Sequence, residues 1–150
     1  MMRAAREAAD EEAARLSIGP PLVVAVTVLT SLDAETLHTV GIAGSTLDQV
    51  ERLALLGQGA GLDGVVASPQ EVARIRACCD PRFVIVTPGI RDGRAGTGRA
   101  ADDQMRTASA AAALEAGSSY LVVGRPVIGS PDPRAAAERL AAECQPAPSS

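Results

Sequence analysis

Two places in this chain pair a glycine with an arginine just past a short apolar run. Phe83-Val84-Ile85-Val86 stops at Thr87-Pro88-Gly89-Ile90-Arg91, and Tyr120-Leu121-Val122-Val123 stops at Gly124-Arg125-Pro126. A glycine lets a backbone come close to an anion, and an arginine offers a planar fork of donors that fits phosphate oxygens. Two neighbouring strand ends carrying this pair would form one phosphate pocket. A lone Gly-Arg-Pro after a strand also reads as a turn with a solvated arginine. It is the second Gly/Arg pair that points to an anion. Between the two runs lies a loop rich in Gly, Arg and Asp that ends at Asp103-Gln104. Gly93 to Gly98 does not join strand to helix at dinucleotide-binding spacing, so it reads as a mobile lid.

Composition removes several other chemistries. All 14 basic residues are arginine, and no lysine is present. The chain therefore has no lysine to donate a proton or form a Schiff base, and arginine stays protonated at any working pH. Cys78, Cys79 and Cys144 lack metal-ligand spacing, and the single histidine, His38, cannot complete a His/Cys cluster. Cys78 and Cys79 read as reduced helix residues, and His38 as a surface helix residue. With no Trp, one Phe, one Tyr and a net charge of −4, the chain lacks base-stacking platforms and general polyanion affinity. No apolar run approaches a membrane span, and acidic residues among Arg3, Arg6 and Arg15 argue against a transit peptide. The expected compartment is a reducing cytoplasm, with no nucleic-acid or membrane partner.

The elements that would hold these arginines alternate. Residues 2–16 are Ala-rich, and Arg3 and Glu7, four apart, could support a helix. Ser17-Ile18-Gly19-Pro20-Pro21 breaks it. The first strand is Leu22 to Leu29, ending at Thr30-Ser31, and Leu32 to Gly41 is a short helix and turn. Ser45-Thr46-Leu47-Asp48 forms a capping box that starts a helix to about Gly59, with Leu47, Val50, Leu53, Ala54 and Leu56 near one face. The second strand is Leu62 to Ala67, and Asp63, at the opposite end from the arginines, reads as a turn residue. Pro69 opens a helix to about Cys79, with Val72 and Ile75 inward. Strands Phe83 to Val86 and Tyr120 to Val123 follow, separated by the long loop and a helix from Ser109 to Ala116 that ends at Gly117. Asp132-Pro133 opens the last helix, to Cys144.

Fully apolar strands alternating with helices four times demand a parallel sheet covered by helices. In a β/α barrel, functional residues sit at strand C-termini and phosphate often binds after the last two strands. Thr30, Arg91 and Arg125 all fall just past strand ends. The expected fold is α/β: the C-terminal half of a TIM (β/α)8 barrel, four parallel β/α units over residues 1–144, with 145–150 a disordered tail. Four strands would leave two open edges and an apolar inner face.

The motifs also appear in a particular order. Leu22-Val23-Val24-Ala25-Val26-Thr27-Val28-Leu29-Thr30-Ser31 is followed by Gly61-Leu62-Asp63-Gly64-Val65-Val66 with Ser68 and Gln70-Glu71. Then come Val86-Thr87-Pro88-Gly89-Ile90-Arg91, Asp103-Gln104 with Arg106, and Tyr120 to Pro126 with Asp132-Pro133. The series resembles orotidine 5′-phosphate decarboxylase of the bacterial type, over nearly all of residues 2–143. The resemblance implies a carboxy-lyase that converts orotidine 5′-monophosphate (OMP) to UMP and CO2 in pyrimidine biosynthesis, without cofactor or metal. It implies that Arg91 and Arg125 hold the phosphate with the backbone at Gly124. By the same resemblance Gln104 bridges phosphate and base from a closing loop, and Thr30 contacts the pyrimidine end.

The family's catalytic Asp-x-Lys-x-x-Asp motif and its further lysine belong to the other half of its barrel and have no counterpart here. Thr107-Ala108-Ser109 stands where the family has Thr-Pro. The expectation is a family member shortened on its N-terminal side, with Met1-Met2 falling mid-barrel. No residue here is expected to be catalytic. Expected partners are OMP or UMP, with a second copy (a homodimer) or a complementing first-half polypeptide. The alternatives are a non-catalytic phosphate-binding half-barrel, a remnant without function, and another phosphosugar enzyme of similar barrel type.

Overall fold

The computed structural model describes residues 1–91 and 107–145. The expected lid, Gln104 and most of the expected tail lie outside the described residues. Among the described residues, four parallel strands form one sheet in chain order: β1 Val24–Val26, β2 Gly64–Val66, β3 Val84–Thr87 and β4 Tyr120–Leu121. Register is continuous, with Val26 opposite Val66, Val66 opposite Val86 and Val86 opposite Tyr120.

The strands are shorter than the apolar runs predict, but single ladder bonds continue past them. Thr27 N donates to Val66 O at 3.1 Å, Ala67 N to Val86 O at 3.1 Å and Val122 N to Thr87 O at 2.9 Å. The apolar runs extend past the ladder at exposed positions such as Leu22 and Leu29.

Among the described residues, seven α-helices accompany the strands: α1 Met2–Leu16, α2 Ala34–Thr39, α3 Thr46–Gly59, α4 Val72–Cys78, α5 Ala110–Glu115, α6 Arg125–Ile128 and α7 Pro133–Glu143. Four begin on the side-chain caps that their sequences offer. Asp33 accepts from Thr36 N, Ser45 from Asp48 N, Ser109 from Ala112 N and Asp132 from Ala135 N. At Ser45 the box closes differently from expectation: the hydroxyl donates to Asp48 Oδ2 at 2.7 Å. Aspartate is one methylene shorter than the usual glutamate.

The main core lies between the sheet and α2, α3 and α4. Val50, Ala54, Val65, Val72, Ile75 and Ile85 are fully or almost fully buried there. Val72 and Ile75 point inward as predicted. On α3 the buried line is Val50, Ala54 and Gly57, with Leu53 beside it. Leu47 and Leu56, expected on this face, are exposed instead. Leu56 lies six residues beyond Val50, well over 100° around the helix from it. A second cluster, Ile90, Ala110, Ala113 and Leu140, joins α5 and α7 behind β4.

The opposite face of the sheet carries Val24, Val26, Val66, Val84, Val86, Tyr120 and Val122. Val26 and Tyr120 are each 56% exposed and Val122 50%. This is the apolar inner face expected of a half-barrel, and β1 and β4 are its edges.

The N-terminal end of the sheet is tied by charge. Asp63 Oδ2 accepts from Arg6 Nη1 at 2.6 Å and from Val23 N at 2.6 Å, so the expected turn residue also anchors α1 to β1. On α1 itself, Arg6 pairs with Asp10, with Nε donating to Oδ2 at 2.9 Å, and Arg15 Nε donates to Glu12 at 2.7 Å. The i,i+4 support thus comes from Arg6 rather than from the predicted Arg3–Glu7 pair. Among the described residues, no helix is long and apolar enough to cross a membrane.

Candidate functional site

Arg91 and Arg125 both lie at the C-terminal end of the sheet. β3 runs into Pro88-Gly89, and Gly89 takes φ 80°, which a residue with a side chain resists. The turn redirects the chain so that Ile90 pairs with Ala108 in a single parallel bridge. Arg91 N donates to Ala108 O at 2.9 Å, and Ala108 N to Gly89 O at 3.3 Å. Ile90 is buried in the cluster beneath α5 and α7. The backbone on both sides of Ile90 is therefore held, with Arg91 anchored through its N–H.

Arg125 reaches the same place from β4. After Val123 the chain passes Gly124 and enters α6, a single helical turn with Gly124 as its N-cap. Val127 N and Ile128 N both donate to Gly124 O, at 2.9 and 3.0 Å. The sequence pattern ends the strand at Gly124-Arg125-Pro126 and does not predict this helix. The available signal is Pro126 in its first turn, where the lost N–H has no intrahelical partner.

A cleft of about 240 Å³ lies between these two strand ends. Pro88, Gly89, Ile90 and Arg91 line one side, and Val122, Gly124, Arg125, Pro126 and Ile128 the other. Both predicted Gly/Arg pairs thus share one wall system. Arg91 is half-buried and Arg125 exposed. A side-chain carbon at Gly124 would meet nothing within 4 Å, so the backbone there faces open space. Two guanidinium-bearing residues beside exposed backbone, in a cleft of this size, can bind a small oxyanion.

Thr30 lies past β1 and is not among the residues lining this cleft. It sits at the same end of the sheet, half-buried. At ~4.8 Å between strands, two to three spacings put β1 roughly 10–14 Å from the cleft. That is the scale of a mononucleotide rather than of a bare phosphate.

Two supports of the site went unread in sequence. Ser68 and Glu71 follow β2 and are buried, with Ser68 N donating to Glu71 Oε2 at 2.9 Å. The Ser-Pro-Gln-Glu spacing is a capping-box signal, and it places a buried carboxylate at the start of α4. Behind β3, Thr87 and Ser118 share a buried hydroxyl–hydroxyl bond of 2.6 Å, which fixes the approach to β4.

Residues 1–140 match the orotidine 5′-phosphate decarboxylase / HUMPS family. The chain belongs to this family. It is 54% identical over 146 residues to orotidine 5′-phosphate decarboxylase of Moorella thermoacetica, covering 97% of this chain and 56% of that protein. The decarboxylase of Paramagnetospirillum magneticum is 50% identical over 143 residues, covering 95% of this chain and 59% of the other. Among solved structures, orotidine 5′-phosphate decarboxylase from Lactobacillus acidophilus superposes with TM-score 0.80 at 31% identity, covering 97% of this chain and 58% of that one. An uncharacterized conserved protein from Geobacillus kaustophilus gives 0.77 at 32% identity, with the same coverage. The chain spans about half the length of the curated relatives it matches. Its four β/α units are a half-barrel of the decarboxylase fold, as the strand count implies.

Proposed function

We propose that the cleft between β3 and β4 holds the phosphate of OMP or UMP. Arg91 and Arg125 supply charge-assisted bonds, the backbone at Gly124 comes close, and Gln104 bridges phosphate and base from its loop. Thr30 takes the pyrimidine end. The observation that carries this reading is that both arginines, 34 positions apart in sequence, line one cleft.

The family's reaction removes CO2 from OMP to give UMP. Phosphate contacts are remote from the bond that breaks. Their binding energy offsets the cost of ordering a lid and of crowding the reacting carboxylate. That division suits these residues, which bring arginines and no lysine. Protonation of the carbanion then falls to four further β/α units that would complete the barrel, whether on the same polypeptide, a complementing one or a paired copy. On this reading the protein works in the cytoplasm on a small-molecule substrate.

A second reading, a phosphate-binding half-barrel without turnover, is favoured by the same absence of lysine. One experiment separates the two. Residues 1–150 are mixed with OMP, alone and with a polypeptide carrying the family's lysine half, and the loss of OMP absorbance is followed. No turnover alone and turnover with the partner supports the decarboxylase reading. Nucleotide binding without turnover in either mixture supports the second. Turnover by these residues alone would overturn the assignment of the proton donor.

A further inference from the structure

Cys78 ends α4, and Cys79 caps it with extended backbone, φ −109° and ψ 165°. Consecutive side chains fan about 100° apart in a helix and point oppositely in a strand. The switch from one geometry to the other at this junction brings the two sulfurs side by side, with Sγ to Sγ 3.8 Å. Cys78 is half-buried and gives access from solvent, while Cys79 is 8% exposed and belongs to the main core.

We propose that Cys78 and Cys79 form a dithiol site that captures a monosubstituted trivalent arsenical. Two other uses of the pair fit less well. Adjacent Cα atoms across a trans peptide are ~3.8 Å apart, below the ~4.4–6.8 Å that an unstrained disulfide spans. Among the described residues, no third Cys, His, Asp or Glu joins them to hold a metal ion. A trivalent arsenic carrying one organic group has two valences to fill, which matches two thiols. It also closes a larger ring than a disulfide does.

The condensation needs no oxidant. R–As(OH)2 reacts with two thiols to give R–As(SR)2 and two waters; two As–S bonds form, two As–O bonds break, and arsenic stays trivalent. Each thiol proton leaves with a hydroxyl of the arsenical. Cys78, being accessible, forms the first bond. Cys79 then closes the ring as an intramolecular neighbour, which favours the second step by effective concentration. Desolvation first, and then Cys78 beside it, push the Cys79 thiol up to about 12, so simple thiolate alkylation at Cys79 is slow.

Intact-mass spectrometry of the folded protein with phenylarsine oxide tests the site. One phenylarsenic adduct is expected on the wild type and on Cys144→Ser, stable to a monothiol and removed by a dithiol. The adduct is expected to vanish in Cys78→Ser. Fragmentation of the wild-type adduct should place arsenic on both Cys78 and Cys79, a readout that does not depend on any variant folding. Undiminished adduct in Cys78→Ser, arsenic mapped to Cys144, or an adduct that forms only in urea would each overturn the proposal.

Discussion

Replacing Arg76 with methionine should destabilise the fold where β3 and β4 begin. Arg76 leaves α4 and spreads over the backbone between β3 and β4. Its Nε donates to Gly117 O at 2.8 Å, its Nη1 to Phe83 O at 2.6 Å and Pro81 O at 3.2 Å, and its Nη2 to Ser119 Oγ at 2.9 Å. The bonds to Gly117 and Phe83 are partly buried; those to Pro81 and Ser119 are exposed. Ser119 Oγ in turn accepts from Ile85 N at 3.1 Å, so one guanidinium sets how the segment before β4 lies against β3.

Methionine keeps most of the stem and removes the donors. A hydrogen bond from a charged group contributes ~1.5–3 kcal/mol. Counting only the two partly buried bonds, and allowing water to replace some of each, the loss is about 2–4 kcal/mol. For a chain of this length that is a fall in Tm of roughly 10 °C. Thermal and urea unfolding followed by far-ultraviolet circular dichroism reads the change. Arg76→Lys should recover less than half of it, because one ammonium cannot span four acceptors in this fork. An Arg76→Met protein within about 0.5 kcal/mol of the parent would refute the reasoning, since that is the size of an ordinary surface substitution.

Three further outcomes follow from the same geometry. Gly64→Ala should destabilise by about 1–3 kcal/mol or more in urea titration, because a side-chain carbon there would lie 2.1 Å from Val84 O, and backbone has little room to move. Unchanged stability would mean that β2 and β3 are not so closely apposed. Asp33 is held below the usual aspartate range mainly by the Thr36 backbone N–H, and Asp48 mainly by the Ser45 hydroxyl. Their contribution is present in full above the ordinary aspartate pKa and is lost as pH falls through the lower folded value, so Asp33→Asn should flatten the acid limb of stability against pH. An identical acid limb in variant and parent would contradict this. Pro126→Gly should weaken UMP binding several-fold with little loss of stability, since α6 is a single turn with no fully buried residue that sets where Arg125 stands; unchanged affinity would mean that α6 does not position it.

The sequence showed the four β/α units because their apolar runs and caps are local signals. Ser45, Ser109 and Asp132 each stand within three residues of the amide they cap. Strand length was overstated because residues such as Leu22 and Leu29, both more than half exposed, extend an apolar run past the ladder. That the two arginines line one cleft is legible from their place after strands, since parallel strands bring their ends together. Long-range ties were not. Arg76 looks like any basic residue in a last helical turn, yet its carbonyl partner Gly117 lies 41 residues away. Arg6 similarly finds Asp63 across 57 residues. Helix α6 was hidden because four residues carry no periodicity, and Gly-Arg-Pro reads equally as a turn.

Isothermal titration of UMP into the wild type, Arg91→Ala and Arg125→Ala tests the shared anion grip most directly. At ~1.5–3 kcal/mol per charge-assisted bond, each substitution should weaken UMP by at least about tenfold. Uridine, which lacks the phosphate, should bind all three proteins alike. UMP affinity that survives both substitutions, or uridine binding that falls as far as UMP binding, would contradict a phosphate held between β3 and β4.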